Sequence, residues 1–140
     1  MFYIENRESD FVAERNRVST GSSWESAVGY SRAIRVGNRV EVAGTTAVKD
    51  GKTVAIGDAY ARTVCALEII KESLEKVGAT LADVVRTRMF VTDISKWEEI
   101  GKAHGEFFRD IRPVATMVEV KSLIEPELLV EIEAVALINE

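Results

Sequence analysis

"DVVRTRMFVTDISKWEEIGKAHGEFF" (Asp83–Phe108) holds two periods in one stretch. Over residues 83–93, Val85, Thr87, Met89 and Val91 alternate with Arg86, Arg88 and Phe90, the period of two shown by a strand with one buried face. From about residue 96 to 108 the period changes, and Trp97, Ile100, His104 and Phe107 fall three or four apart on one side of a helix. Ser95 and Glu98, between the two patterns, have the spacing of a capping box. A half-buried strand followed by an amphipathic helix predicts a sheet with helices laid on it.

Downstream, Pro113 follows the helix and two strands finish the chain, "ATMVEV" (115–120) and "LLVEIEAVALI" (128–138), joined through "LIEPEL". In the first of these, Thr116, Val118 and Val120 are read as the core face, with Ala115, Met117 and Glu119 on the other. Upstream, Tyr60, Thr63, Val64, Leu67, Ile70, Leu74 and Val77 predict a helix over 59–77, with Asp58 as its N-cap and Gly78 where it stops. "VKDGKTV" carries a turn signal at Asp50-Gly51, and "YSRAIRVGNRVEVAG" (30–44) reads as a hairpin around Gly37-Asn38. Residues 1–27 read as an irregular N-terminal segment, "STGSSWES" (19–26) is a loop by composition, and regular structure is expected from about Tyr30. The order is hairpin, helix, strand, helix, strand, strand. It predicts a single α+β domain over residues 1–140, a sandwich of one mixed sheet with two helices on one face.

Composition narrows the function. The 140 residues are 46% hydrophobic and 29% charged, with a net charge of −5, and the isoelectric point is near 5.1. No basic stripe stands out, so nucleic acid is a poor partner. The single cysteine, Cys65, allows no intrachain disulfide and fits a reducing cytoplasm. One histidine and one cysteine leave no His/Cys-rich zinc site in one chain, and no metal or cofactor is expected. "MFYIENRESDF" has charges where a signal peptide needs an apolar run, and no stretch approaches the ~20 apolar residues of a membrane span.

With helices on one face only, the opposite face takes Arg39, Glu41, Arg86, Arg88, Phe90, Ala115, Met117, Glu119, Glu131 and Glu133. Arginine and methionine without lysine is the composition of an oligomer interface. A solvated face with ordinary cross-strand pairs is the other reading.

"VGYSRAIRVGNRVEVAG", "DVVRTRMFVTDISKWEEIGKAHGEFF" and "RPVATMVEVKSLIEPELLVEIEAVA" resemble the YjgF/RidA family, also called L-PSP endoribonuclease-like, in the order of their motifs from about Ser26 to the C-terminus. The resemblance implies a chorismate-mutase-like fold, a homotrimer around a barrel of sheets, and small-molecule clefts between subunits. Typical members hydrolyse enamines and imines such as 2-aminoacrylate, releasing ammonia and a 2-keto acid. In them an arginine clamps the substrate carboxylate and a glutamate positions or activates water. Carried over by position, the family's tyrosine, glycine and glutamate fall on Tyr30, Gly44 and Glu131. Its serine is Ala43 here, its asparagine Gly101 and its cysteine Met117. Its clamping arginine falls on Ala115. Alanine cannot bind a carboxylate, and losing a buried bidentate contact costs on the order of 2–5 kcal/mol.

Glu131 is the catalytic candidate, with an interchain ion pair to Arg86 or Arg88 as its competing role. The expected substrate-binding residues are Tyr30, Gly44, Thr45, Arg88, Ala115 and Met117. Arg88 is proposed as a replacement clamp because it is read on the face of Ala115 and Glu131. His104, one turn after Gly101, either reaches the cleft or packs on its helix. Cys65 is read as a core or interface residue. Three functions compete: a cofactor-free enamine or imine deaminase, a metabolite-binding or regulatory trimer without turnover, and an endoribonuclease. The last ranks lowest for an acidic chain with one histidine and no basic groove.

Overall fold

Two of the turn signals do what their chemistry asks. A computed structural model describes residues 14–139, in which Gly37, at φ +63°, turns strand β2 (Ala33–Val36) back onto β3 (Arg39–Thr45). Asp50 and Gly51, both at positive φ, close a small separate ribbon of β4 (Val48–Lys49) and β5 (Lys52–Thr53). Helix α2 (Ala59–Glu75) starts where the Asp58 side chain accepts a hydrogen bond from the Ala61 amide. Just beyond it Gly78 takes φ +83°, the left-handed conformation a β-carbon disfavours.

The 83–108 stretch gives strand β6 (Val84–Val91) and helix α3 (Trp97–Phe108), and the chain ends with β7 (Val114–Glu119) and β8 (Val130–Leu137). Six strands form one mixed sheet in the order β1-β2-β3-β8-β6-β7. Only β6 and β7 run parallel, which their connection through α3 makes possible. The fold is therefore α+β. Leu67, Ile70, Leu74, Ile100 and Phe108 from the helices pack with Val40, Val42, Met89, Val91, Ile132, Ala134 and Ala136 from one sheet face.

The N-terminal reading is corrected within the described residues; positions 1–13 lie outside them. β1 (Arg15–Val18) pairs with β2, and α1 (Ser23–Val28) forms inside the serine-rich stretch. Only Val18 of β1 is buried, so alternation had nothing to report. The strand is made by pairing, not by pattern. α1 is held by its ends: the Ser22 hydroxyl accepts from the Trp24 amide, and Gly29 closes it at φ +88°.

Three details of the deciding stretch also differ. The pairing of β6 with β8 shifts between Val84 and Arg86, so Val84 is buried and Val85 is 39% exposed. The capping box is not formed. Asp93 instead accepts from the Ser95 amide and hydroxyl, capping a 3-10 turn at residues 94–96 that leads into α3. Trp97 is exposed while Ala103 and Phe108 are buried, so the core stripe of α3 is rotated from the expected one.

β7 turns its faces the other way from that expected. Parallel pairing sets Ala115 beside Thr87 and Met117 beside Met89, both buried on the helix side. Met117 packs against the core, while Thr116 and Val118 are exposed. The faces are thus the reverse of those expected. β7 is an edge strand, and no helix among the described residues lies over its far face, so Val118 there escapes burial. The face without helices carries Ile34, Val36, Arg39, Glu41, Glu131, Glu133, Val135, Arg86, Arg88 and Phe90, together with Thr116 and Val118. Among the described residues it holds the ion pairs Arg39–Glu41 at 3.2 Å and Arg88–Glu133 at 3.5 Å.

Candidate functional site

β3 and β8 fall out of register between Val42 and Thr45, and the irregularity brings Gly44 against the side chain of Glu131. A β-carbon on Gly44 would lie 2.6 Å from Glu131 Oε1 and 2.9 Å from Cδ. Only glycine lets the carboxylate lie flat on this strand. Burial pushes the Glu131 carboxyl above its ordinary range; nearby Arg32 pulls it down and Glu133 pushes it further up.

Arg32, the residue just before β2 and its buried Ala33, was not singled out from the sequence. Its Nη2 donates to the Gly44 carbonyl at 2.5 Å, and its Nε is buried with no hydrogen-bond partner. Burial draws its pKa below the usual arginine value, against the pull of Tyr30, Glu25 and Glu131. Glu25 of α1 is buried close by. Burial tends to raise its pKa, but hydrogen bonds from Thr20 and Ser19 outweigh that and hold it low. The available signal was register: Arg32 keeps the two-residue period of Tyr30 and Ile34, opposite to buried Ala33, which places a cation on the glutamate side of the sheet.

Tyr30, Arg32, Gly44, Thr45, Glu131 and Glu133 all line one open cleft of ≈ 1840 Å³ that runs on past α1 and the β4–β5 ribbon. That is larger than the ~300–1,000 Å³ of a typical small-molecule pocket. Helix α2 also contributes to its lining, through Val64, Glu68 and Ile69. Tyr30 is 39% exposed in it. Thr45 is 1% exposed, and its hydroxyl donates to the Ala43 carbonyl at 2.7 Å. Cys65 is buried at the same cleft, its thiol pKa raised by burial.

The other expected site residues do not join this group within the chain. Arg88 shares the Glu131 face but pairs with Glu133. Ala115 and Met117 are on the opposite face, so the shared face that suggested Arg88 as a clamp does not exist for Ala115. His104 lies on that helix side. Its Nε2 is 2.8 Å from Thr87 Oγ1, its ring is 4.7 Å from that of Phe108, and burial lowers its pKa. Next to it a depression of ≈ 300 Å³ is lined by His104, Gly105, Phe108, Arg109, Arg112 and Pro113. Among the described residues no group of three or more His, Cys, Asp or Glu is placed to hold a metal ion. No helix among them is long and apolar enough to cross a membrane.

Fold and cleft together define an α+β protein with one bare sheet face and a carboxylate set in a groove beside an arginine. The family model for endoribonuclease L-PSP matches residues 20–138, and the chain belongs to this YjgF/RidA family. A solved YjgF-family structure from Mycobacterium tuberculosis is 56% identical, with a TM-score of 0.82, covering 89% of this chain and 100% of that one. An uncharacterized protein of Streptomyces coelicolor is 38% identical over 120 residues, 86% of this chain and 90% of its own. The 3-aminoacrylate deaminase RutC of Acinetobacter baylyi is 34% identical over 108 residues, 76% of this chain and 85% of its own.

Proposed function

We propose that the chain works as a single RidA-like domain over residues 1–140, in a cytoplasmic homotrimer whose intersubunit clefts take a small metabolite and hydrolyse its enamine or imine without a cofactor. The observation that carries this reading is the half-buried Glu131 carboxylate lying on Gly44 in the cleft. The relative named as a 3-aminoacrylate deaminase supports the substrate class. The homotrimer is supported by the bare sheet face and by the edge strand β7. Glu131 and Ala115 face opposite ways in one chain. A neighbouring copy would bring Ala115 and Met117 to a ligand held by Tyr30, Gly44 and Thr45, with Arg88 steadying Glu133.

The chemistry follows from one carboxylate and one water. An enamine takes a proton from solvent on carbon and becomes an iminium ion. Glu131 takes a proton from water as the water oxygen bonds to the C=N carbon, giving a carbinolamine. Glu131 returns the proton to nitrogen, the C–N bond breaks, and ammonia leaves. The hydroxyl proton goes to solvent as the ketone or aldehyde forms. A carboxyl whose pKa is raised by burial is a better base for this cycle than an exposed one.

The test is ammonia release from freshly generated 2-aminoacrylate and 3-aminoacrylate. The wild type is expected to accelerate release from at least one, and Glu131→Gln to lose about 10²–10⁴-fold of that rate. Equal rates in the two proteins would exclude Glu131 as the base. The alanine at position 115 favours a second reading, a binding trimer without turnover, which a silent wild type across both substrates would support. Sizing at three times the 15.5 kDa protomer is expected, and a clean monomer would remove the intersubunit cleft.

A further inference from the structure

We propose that Arg32 is the anion clamp of this cleft: its guanidinium takes a carboxylate of the ligand beside Glu131, in place of the arginine absent at Ala115. The inference rests on the reading that the Glu131 cleft is the ligand site.

Four observations carry it. Arg32 lines the cleft together with Tyr30, Gly44 and Glu131. Its backbone is pinned on both sides: its amide donates to the Val18 carbonyl at 2.8 Å, and its carbonyl accepts from the Ala43 amide at 3.0 Å. Its side chain is oriented by the bond from Nη2 to the Gly44 carbonyl. Glu25 and Glu131 act on its charge through space, but among the described residues neither carboxylate forms a contact ion pair with it. A guanidinium has five N–H donors in a fixed fork, and one bond to a carbonyl leaves most of them for an anion.

The arrangement also suits the chemistry. Arg32 reaches the Gly44 carbonyl and Glu131 lies against the Gly44 α-carbon, so cation and carboxylate address one stretch of the cleft. A monocarboxylate bound to Arg32 would set the adjacent C=N carbon toward Glu131. Partial burial strengthens that contact relative to one in bulk water. Among the described residues, Arg62 is the other arginine with a buried nitrogen lacking a partner. It does not line this cleft, and it bonds the carbonyls of Ala55 and Glu127, which marks it as a brace between loops.

The probe is 2-oxobutanoate, a stable 2-keto acid, with butanone as its uncharged counterpart. Each is titrated into the intact protein while the Arg32 Nε–H and Gly44 amide resonances are followed by NMR. The keto acid is expected to shift both saturably, and butanone neither. Arg32→Gln should weaken keto-acid binding at least about tenfold, Arg32→Lys should weaken it less, and Lys121→Gln should leave it unchanged. Full affinity in Arg32→Gln overturns the proposal. So does equal binding of butanone, or a wild type whose Arg32 Nε–H does not move. The Nε–H readout needs no variant, so a misfolded Arg32→Gln does not blunt the test. Arg32-dependent binding without ammonia release would keep the clamp and reject the deaminase. Ammonia release that is indifferent to Arg32→Gln would do the opposite.

Discussion

Substituting Gly44 by alanine tests the contact on which the candidate site is built. Gly44 has no left-handed φ, so the backbone accepts alanine without strain. The new β-carbon would meet Glu131 Oε1 at 2.6 Å, Cδ at 2.9 Å and Cγ at 3.1 Å. Non-bonded carbon contacts settle near ~3.5 Å, so the carboxylate must retreat by roughly 0.5–1 Å. It is the far end of a flexible side chain facing an open cleft, so it can swing away. Holding an off-rotamer torsion costs about 0.5–1.5 kcal/mol, a small loss of stability. Misplacing a reacting group by ~1 Å can cost about 10²-fold in rate. Gly44→Ala should therefore melt within a few degrees of wild type yet release ammonia about 10²-fold more slowly. In the double variant with Glu131→Gln the losses should not add, because both act through one carboxylate. An active Gly44→Ala protein would refute the contact argument, and additive losses would show that Gly44 acts through something other than Glu131.

Further expectations concern pH, packing and the missing arginine. Because burial raises the Glu131 pKa in the folded chain, the stability its protonated form contributes is complete below the ordinary value of 4.5 and is lost as pH rises through the raised one. Glu131→Gln should therefore raise the melting temperature at pH 7, and the gain should shrink toward pH 4; a gain independent of pH would contradict the assigned cause. Arg62 is 1% exposed and donates to the carbonyls of Ala55 and Glu127. Arg62→Leu should cost about 3 kcal/mol in chemical denaturation, and a loss under ~1 kcal/mol would mean those bonds hold little. Ala115 is exposed on edge strand β7, with space for a longer side chain. Ala115→Arg should raise ammonia release from 2-aminoacrylate, whereas a folded, inactive product would implicate Ala43, Gly101 or Met117 as well.

Elements with strong local chemistry were legible before any coordinates. The Asp58 cap, the alternation of Thr87, Met89 and Val91, the Gly37-Asn38 turn and the helix bearing Leu67, Ile70 and Leu74 all appear as read. Each is decided within a few residues, by a capping side chain, a positive φ or a hydrophobic period. Tyr30, Gly44 and Glu131 were reached by the order of motifs, and the cleft gathers them.

What resisted reading depends on neighbours distant in the chain. β1 exists because β2 offers it an edge, and its own residues do not announce a strand. The faces of β7 came out reversed because Thr116 and Val118 are apolar enough to suggest a core, while the parallel pairing with β6 turns them to the bare side. Arg32 looked like one more charge in a hairpin. Its meaning comes from Gly44, twelve residues on, and from Glu131, nearly a hundred residues on, which only strand pairing brings together. Local periodicity and turn chemistry determine which elements form, since those energies act along the chain. Register, the uncovered face and the company each charged group keeps belong to the tertiary structure, because burial and electrostatics act through space.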